Sequence, residues 1–448
     1  MRVFRWLAPG INIKRWLFLF GLGMILTSFG ITMLFNYQWL GNLEELVFRG
    51  LYEITGHYNY TVLASVGIAL LLMGAIVMAY ATRRLIRTMI DVLMPNQSEQ
   101  LSELILSNMK LSKGPAVVAI GGGTGLSVML RGLKKKTGNI SAIVTVADDG
   151  GSSGRIREDL DMIAPGDLRN CLVALAEKEG LMEELFNHRF GGSGNLSGHS
   201  FGNLFIAALT EVLGDVEKAL AASSKILKVR GRVIPASTDK IRLAAEMEDG
   251  TIVEGESNIP HVRGHIKRLY TVPENPHTVQ SALDAIREAD AIILGPGSLY
   301  TSIMPNLLIP EIAQAICESK AVKIYVCNVM TQPGETDGYT VSDHLKAIFN
   351  HARTGCINFV VVNDGPVAEI IRDRYAKQGA FPVIVDDVVV KDLGINIISA
   401  DVVSSDNGAL HDSDKLAKIL MDLVYALKNE LSPELLSYYL KRYNHGTK

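Results

Sequence analysis

From Ala116 onward the chain alternates short Val/Ile-rich runs, each ending in glycine, aspartate or asparagine, with segments of helical spacing. PAVVAIGG precedes LSVMLRGLKKK, and SAIVTVADDGG precedes GDLRNCLVALAE and GNLFIAALTEVL. ADAIILGPGS, VKIYVCN and INFVVVND follow, with VSDHLKAIFNHA between the last two. A strand covered by helices on both faces is apolar on both faces, so it reads as a continuous apolar run. This alternation predicts an α/β fold: a Rossmann-like, doubly wound parallel sheet. Residues 229–268 break the pattern, because turns such as EDGT separate strand-like runs. They predict a small β-rich insertion.

The amino-terminal part differs in kind. Residues 16–35 (WLFLFGLGMILTSFGITMLF) and 60–81 (YTVLASVGIALLLMGAIVMAYA) carry no charge, and each is near the ~20 residues that cross a hydrocarbon core. A signal peptide is the alternative for the first; its length, the missing A-x-A site and the nearby second run favour a span. Arg2, Arg5, Lys14 and Arg15 precede the first run, and Arg83, Arg84 and Arg87 follow the second. The stretch between them has Glu44, Glu45 and Glu53 against Arg49. The positive-inside rule then places both ends in the cytoplasm and residues 36–59 outside as a loop. The expected organisation is a two-span membrane anchor over 1–95, a linker helix over 96–113 and a nucleotide-binding domain over 114–448. The expected location is the cell membrane, multi-pass, with the domain in the cytoplasm.

A net charge of −3 gives no basic footprint for nucleic acid. Cys171, Cys317, Cys327 and Cys356 include no C-x-x-C pair, which predicts buried, reduced thiols rather than disulfides or zinc ligands.

Six stretches carry chemistry. Gly121, Gly122, Gly123, Thr124 and Gly125 follow a strand and open a helix. Glycines there let the backbone approach an anion, and the helix start offers unpaired N–H groups. Leu126 and Ser127 stand where a P-loop has its lysine, and Leu126 also breaks G-x-G-x-x-G. A tight turn with no ligand is the plain alternative. Asp148 and Asp149 end the second strand ahead of Ser152 and Ser153. Adjacent strand residues face opposite ways, so both carboxylates serve one ligand only past the strand end. They suit a ribose, a sugar hydroxyl or a metal, with a solvated Asp-Gly turn as the alternative.

Asp167 is placed to cap a helix, with Arg169 and Asn170 in its first turn. His199 stands between glycine and serine ahead of a helix with Asn203, and a structural role is open for it. Gly297, Ser298, Tyr300 and Thr301 make a second phosphate-like turn after ADAIIL. Asn328, Thr331 and Gln332 lie in a stretch of amides and hydroxyls, VCNVMTQPGETDGY, suited to a base or sugar. An ordinary loop is the alternative for both.

Together AIGGGTGLS, IVTVADDGGSSGR, PGDLRNCLVALAE, GHSFGNL, GPGSLYTS, PNLL and VCNVMTQPGETDGY resemble the CofD/YvcK family, in its YvcK or gluconeogenesis-factor branch, over about residues 114–440. The resemblance implies a Rossmann-like domain that binds UDP-sugars, notably UDP-N-acetylglucosamine, and acts in cell shape and wall synthesis during gluconeogenic growth. It implies a nucleotide site built from the residues named above and needs no cofactor. The CofD branch implies another reading: a transferase acting on a nucleotide-activated phosphodiester, with Asp148 and Asp149 catalytic and Asp148 on Mg²⁺. The resemblance implies the UDP-sugar and wall-synthesis proteins as partners; the two apolar runs add the bilayer, and a second copy of the chain is a further expected partner. An NAD-dependent oxidoreductase is disfavoured by Leu126. Most members of the branch begin near the glycine strand, whereas this chain carries about 110 residues before it.

Overall fold

The computed structural model describes residues 38–56, 109–177, 180–262, 264–352, 355–404 and 408–428. The expected spans 16–35 and 60–81 and most of the expected linker helix lie outside them. Among the described residues no helix is long and apolar enough to cross a membrane. Residues Gln38–Thr55 form helix α1, where the sequence reading places a loop. Glu45 and Arg49, one turn apart, pair at 3.1 Å on its exposed surface.

The main domain is a seven-stranded sheet in the order β10-β9-β8-β7-β1-β2-β3, with every pairing parallel. Its strands are β1 (Val117–Gly121), β2 (Ile140–Val144), β3 (Arg232–Pro235), β7 (Ala291–Leu294), β8 (Val322–Val326), β9 (Phe359–Asn363) and β10 (Asn396–Ala400). β1 lies inside the sheet, between β7 and β2, and is buried at every position, as its unbroken apolar run requires. A second, antiparallel sheet has the order β5-β4-β6, from β4 (Arg242–Met247), β5 (Ile252–Glu254) and β6 (Ile266–Val272).

The expected insertion over 229–268 is therefore shifted. RVIP pairs in parallel with Ser141–Val144 and closes one edge of the main sheet. Pro235 is tolerated there because an edge strand has no further neighbour to receive its missing N–H. The separate β unit runs from 242 to 272. Local pattern cannot make this assignment, since an edge strand and a hairpin strand look alike.

Helix α2 (Gly123–Leu133) follows β1, and α3 (Gly151–Asp159) and α4 (Gly166–Leu175) follow β2. Helix α5 spans Phe201–Leu213, α6 Pro310–Glu318, α7 Val341–His351, α8 Glu369–Ala376 and α9 Ser413–Lys428. α2 packs so closely on α9 that a Cβ on Gly132 would lie 1.9 Å from the Ser413 carbonyl oxygen. The thiol expectation is corrected at one pair. Cys317 at the end of α6 and Cys356 ahead of β9 are joined as a disulfide, with Cα atoms 4.5 Å apart. They stand 39 positions apart in sequence, so only the tertiary fold brings them together. Cys171 and Cys327 are free and buried.

Candidate functional site

The sheet grows from β1 toward β2 and β3 on one side and from β7 toward β10 on the other. Chain order reverses between β1 and β7, and such a switch point leaves a crevice at the carboxyl ends of the strands. Both glycine turns lie there. Gly123 is in the left-handed region (φ +64) at the start of α2, and Thr124 is exposed. The turns also need glycine for each other. A Cβ on Gly125 would lie 2.5 Å from the Pro296 carbonyl oxygen, and one on Gly297 3.4 Å from that of Gly122. Part of the glycine content therefore serves backbone-to-backbone packing of the two turns.

Each helical start in the crevice meets an internal carboxylate. Asp167 is the second residue of α4, whose N-cap is Pro165, and it does not cap its own helix as expected. It accepts instead from the Gly123 N–H, at the start of α2, and from Asn170. Burial, and then the neighbouring Asp148 charge, raise its pKa to about 6. At the second turn, Glu335 accepts from the Ser298 hydroxyl, from Tyr300 N–H at 3.3 Å, from the Thr301 hydroxyl at 3.4 Å and from Gln332 Nε2 at 3.0 Å. Burial raises its pKa, and these donors oppose the shift. Sequence reading missed Glu335. Its only signal was a lone glutamate among amides and hydroxyls, with nothing local to aim it at a turn 37 residues away.

Several expected contact residues are engaged inside the fold. Tyr300 is 1 % exposed and shares a hydrogen bond with Tyr339 at 2.9 Å. Thr331 is tied to Phe381, its N–H donating to the carbonyl and its hydroxyl accepting the Phe381 N–H. Arg169 is buried and donates to Ser200 Oγ at 2.6 Å and to Asn170 Oδ1 at 2.5 Å. Asn328 lines a cleft of about 280 Å³ past β8 and β9, together with Asn363 and Arg372.

The two adjacent aspartates have different tasks. Asp149 accepts from Glu256 N–H and Ser257 N–H, one at each oxygen, both at 2.9 Å. Asp148 Oδ1 accepts from Gly150 N–H at 2.9 Å. Its Oδ2 would be 2.7 Å from a Cβ on Gly166. Glu256, on the loop after β5, was not singled out by the sequence. Burial and the charges of Asp148, Asp149, Asp167 and Glu335 raise its pKa to about 8. Asp149 uses both oxygens on backbone N–H groups, whereas Asp148, the residue for which the CofD resemblance implies Mg²⁺, uses Oδ1 on Gly150 N–H. No group of three metal-ligating side chains is arranged to hold an ion among the described residues.

Beside α3 lies a buried polar network. Ser152 Oγ accepts from Ser200 N–H and from Asn203 Nδ2, each at 3.2 Å, and lies 3.2 Å from His199 Nδ1. A hydroxyl has one hydrogen. With two donors already pointing at it, Ser152 gives that hydrogen to His199 Nδ1, which assigns the imidazole proton to Nε2. Burial and then Arg155 lower the His199 pKa, which agrees with the neutral ring. Ser153 Oγ accepts from Gly166 N–H at 2.9 Å and joins α3 to α4.

Comparison with known proteins gives one consistent result. Residues 117–403 match the family model described as 2-phospho-L-lactate transferase CofD. A Nostoc sp. protein described as a gluconeogenesis factor is 46% identical over 423 residues, covering 93% of this chain and 92% of the relative. The gluconeogenesis factor of Bacillus subtilis is 49% identical over 315 residues, covering 70% of this chain and 99% of the relative. A solved structure of a Bacillus halodurans protein superposes with a TM-score of 0.67 at 52% identity, covering 69% of this chain and all of that one.

Proposed function

We propose, from the premise that this chain belongs to the CofD family in its gluconeogenesis-factor branch, that it is a UDP-sugar-binding regulatory protein. It serves cell shape and wall synthesis during gluconeogenic growth. The observation that carries the reading is the exposed Thr124 turn at the switch point between β1 and β7. That position combines a glycine backbone with a helix amino terminus, the geometry that takes a phosphate. The ligand's diphosphate lies along Gly122–Gly125. His199 offers its Nε2–H, and Asp148 takes a hydroxyl of the ribose or sugar. The amide-rich residues past β8, including Asn328, supply hydrogen-bonding groups for the base.

Residues 16–35 and 60–81 tether the domain to the membrane on its cytoplasmic side. The match to the Nostoc relative over 93% of this chain supports a role for the amino-terminal part beyond this one protein. Wall-synthesis proteins and a second copy of the chain are the partners in this reading. Calorimetric titration of the full chain with UDP-N-acetylglucosamine, GTP and NAD tests it. Saturable binding of the UDP-sugar, lost in Asp148→Ala and leaving the ligand intact by mass spectrometry, is the expected result. Binding no tighter than that of GTP or NAD would sink it.

The match to the transferase model favours one second reading, a transferase acting on a nucleotide-activated phosphodiester. Release of a nucleoside monophosphate in the same titration, with water taking the acceptor's place, would favour it.

A further inference from the structure

The loop between β5 and β6 spans the crevice. On one wall it rests on Asp149, whose carboxylate takes the N–H groups of Glu256 and Ser257. The approach is close: a Cβ on Gly255 (φ +97) would lie 2.8 Å from Asp149 Oδ2. On the other wall, a Cβ on Gly334 (φ +82) would lie 2.0 Å from the Pro260 carbonyl oxygen. Gly334 precedes Glu335, the carboxylate that holds the second glycine turn. Residues 255–260 thus join the turn after β2 to the loop after β8. Between the two supports Glu256 brings a fourth carboxyl toward Asp148, Asp149 and Asp167.

We propose that this loop is the reporting element of the site: Asp149 is its clamp rather than a ligand contact, and a ligand entering the crevice displaces it. The inference rests on the UDP-sugar reading for its ligand, and on the Asp149 clamp for its mechanism. Competition for space is the physical drive. A diphosphate entering beside Asp148 and Asp149 meets the backbone of residues 255–257, which is held on that wall by two hydrogen bonds to the Asp149 carboxylate. Because the loop belongs to the antiparallel sheet, its displacement alters a surface outside the nucleotide domain's own sheet, where a partner can read it.

Hydrogen exchange read by mass spectrometry on the full chain tests the two parts separately. Asp149→Ala raises exchange at residues 255–257 at least tenfold and leaves β4 and β6 protected. Asp149→Asn, which keeps one acceptor, gives an intermediate increase and guards against a variant that fails to fold. Unchanged exchange in both variants overturns the clamp. With wild-type protein, saturating UDP-N-acetylglucosamine changes the exchange of residues 254–262. Measured binding heat with no change in that segment overturns the reporting role. Absence of binding heat overturns the UDP-sugar reading, and the clamp then stands or falls on the Asp149→Ala exchange alone.

Discussion

Glu335 accepts the Ser298 hydroxyl across 37 residues of sequence, and so places an internal carboxyl group at the helical start that the sequence offers to a phosphate. The same carboxylate takes the Tyr300 N–H and the Gln332 amide. Glu335→Ala leaves those buried donors without an acceptor and is expected to cost about 3 kcal/mol of stability. Glu335→Gln, which keeps the shape and one acceptor, is expected to cost about half as much. Urea unfolding with matched m-values measures both. Equal midpoints for Glu335→Ala and wild type would mean the turn does not depend on this group.

The two glycine turns give a steric prediction. Gly125→Ala drives a methyl against the Pro296 carbonyl, where it would sit at 2.5 Å, so a loss of about 1–3 kcal/mol is expected. Gly150→Ala meets nothing closer than Asp148 Oδ1 at 3.4 Å, and a change within about 0.5 kcal/mol is expected. Thermal unfolding of the pair decides whether packing or general backbone freedom sets the glycine requirement.

Glu256 and Asp167 fix a pH dependence. Their folded pKa values, about 8 and about 6, lie above the ordinary 4.5 and 3.8. A folded state that binds more protons than the unfolded one loses stability as pH rises. The sign is therefore a fall between about pH 4 and 6 from Asp167, and between about pH 4.5 and 8 from Glu256. Glu256→Gln is expected to be roughly 4 kcal/mol more stable than wild type at pH 8 and equal to it at pH 4. Denaturant midpoints across that range check it; parallel curves would refute the assignment.

The tautomer of His199 is open to direct observation. With Ser152 donating to Nδ1, nitrogen NMR of histidine-labelled protein should show a protonated Nε2 and a bare Nδ1 for the signal that disappears in His199→Asn. Ser152→Ala removes the donor and should move that signal toward a mixture of the two tautomers. A signal unaffected by Ser152→Ala would show that another group fixes the ring.

Periodicity alone made the parallel sheet legible, because strands such as Val117–Gly121 are buried on both faces and their apolar runs betray it. That glycine turns follow the strands, and that Asp148 stands just past a strand end, was legible as local backbone, since turn chemistry is written locally. Ser152 could be named from sequence, but not its place as the hub of His199, Ser200 and Asn203. Tertiary structure alone decided that Arg232–Pro235 closes the main sheet, that Asp149 holds a loop from another sheet, and that Glu335 fills the second turn. Each of these joins groups far apart in sequence through a hydrogen bond or a strand pairing. Such contacts leave no local periodicity, because the geometry that makes them belongs to the packed sheet and not to either segment.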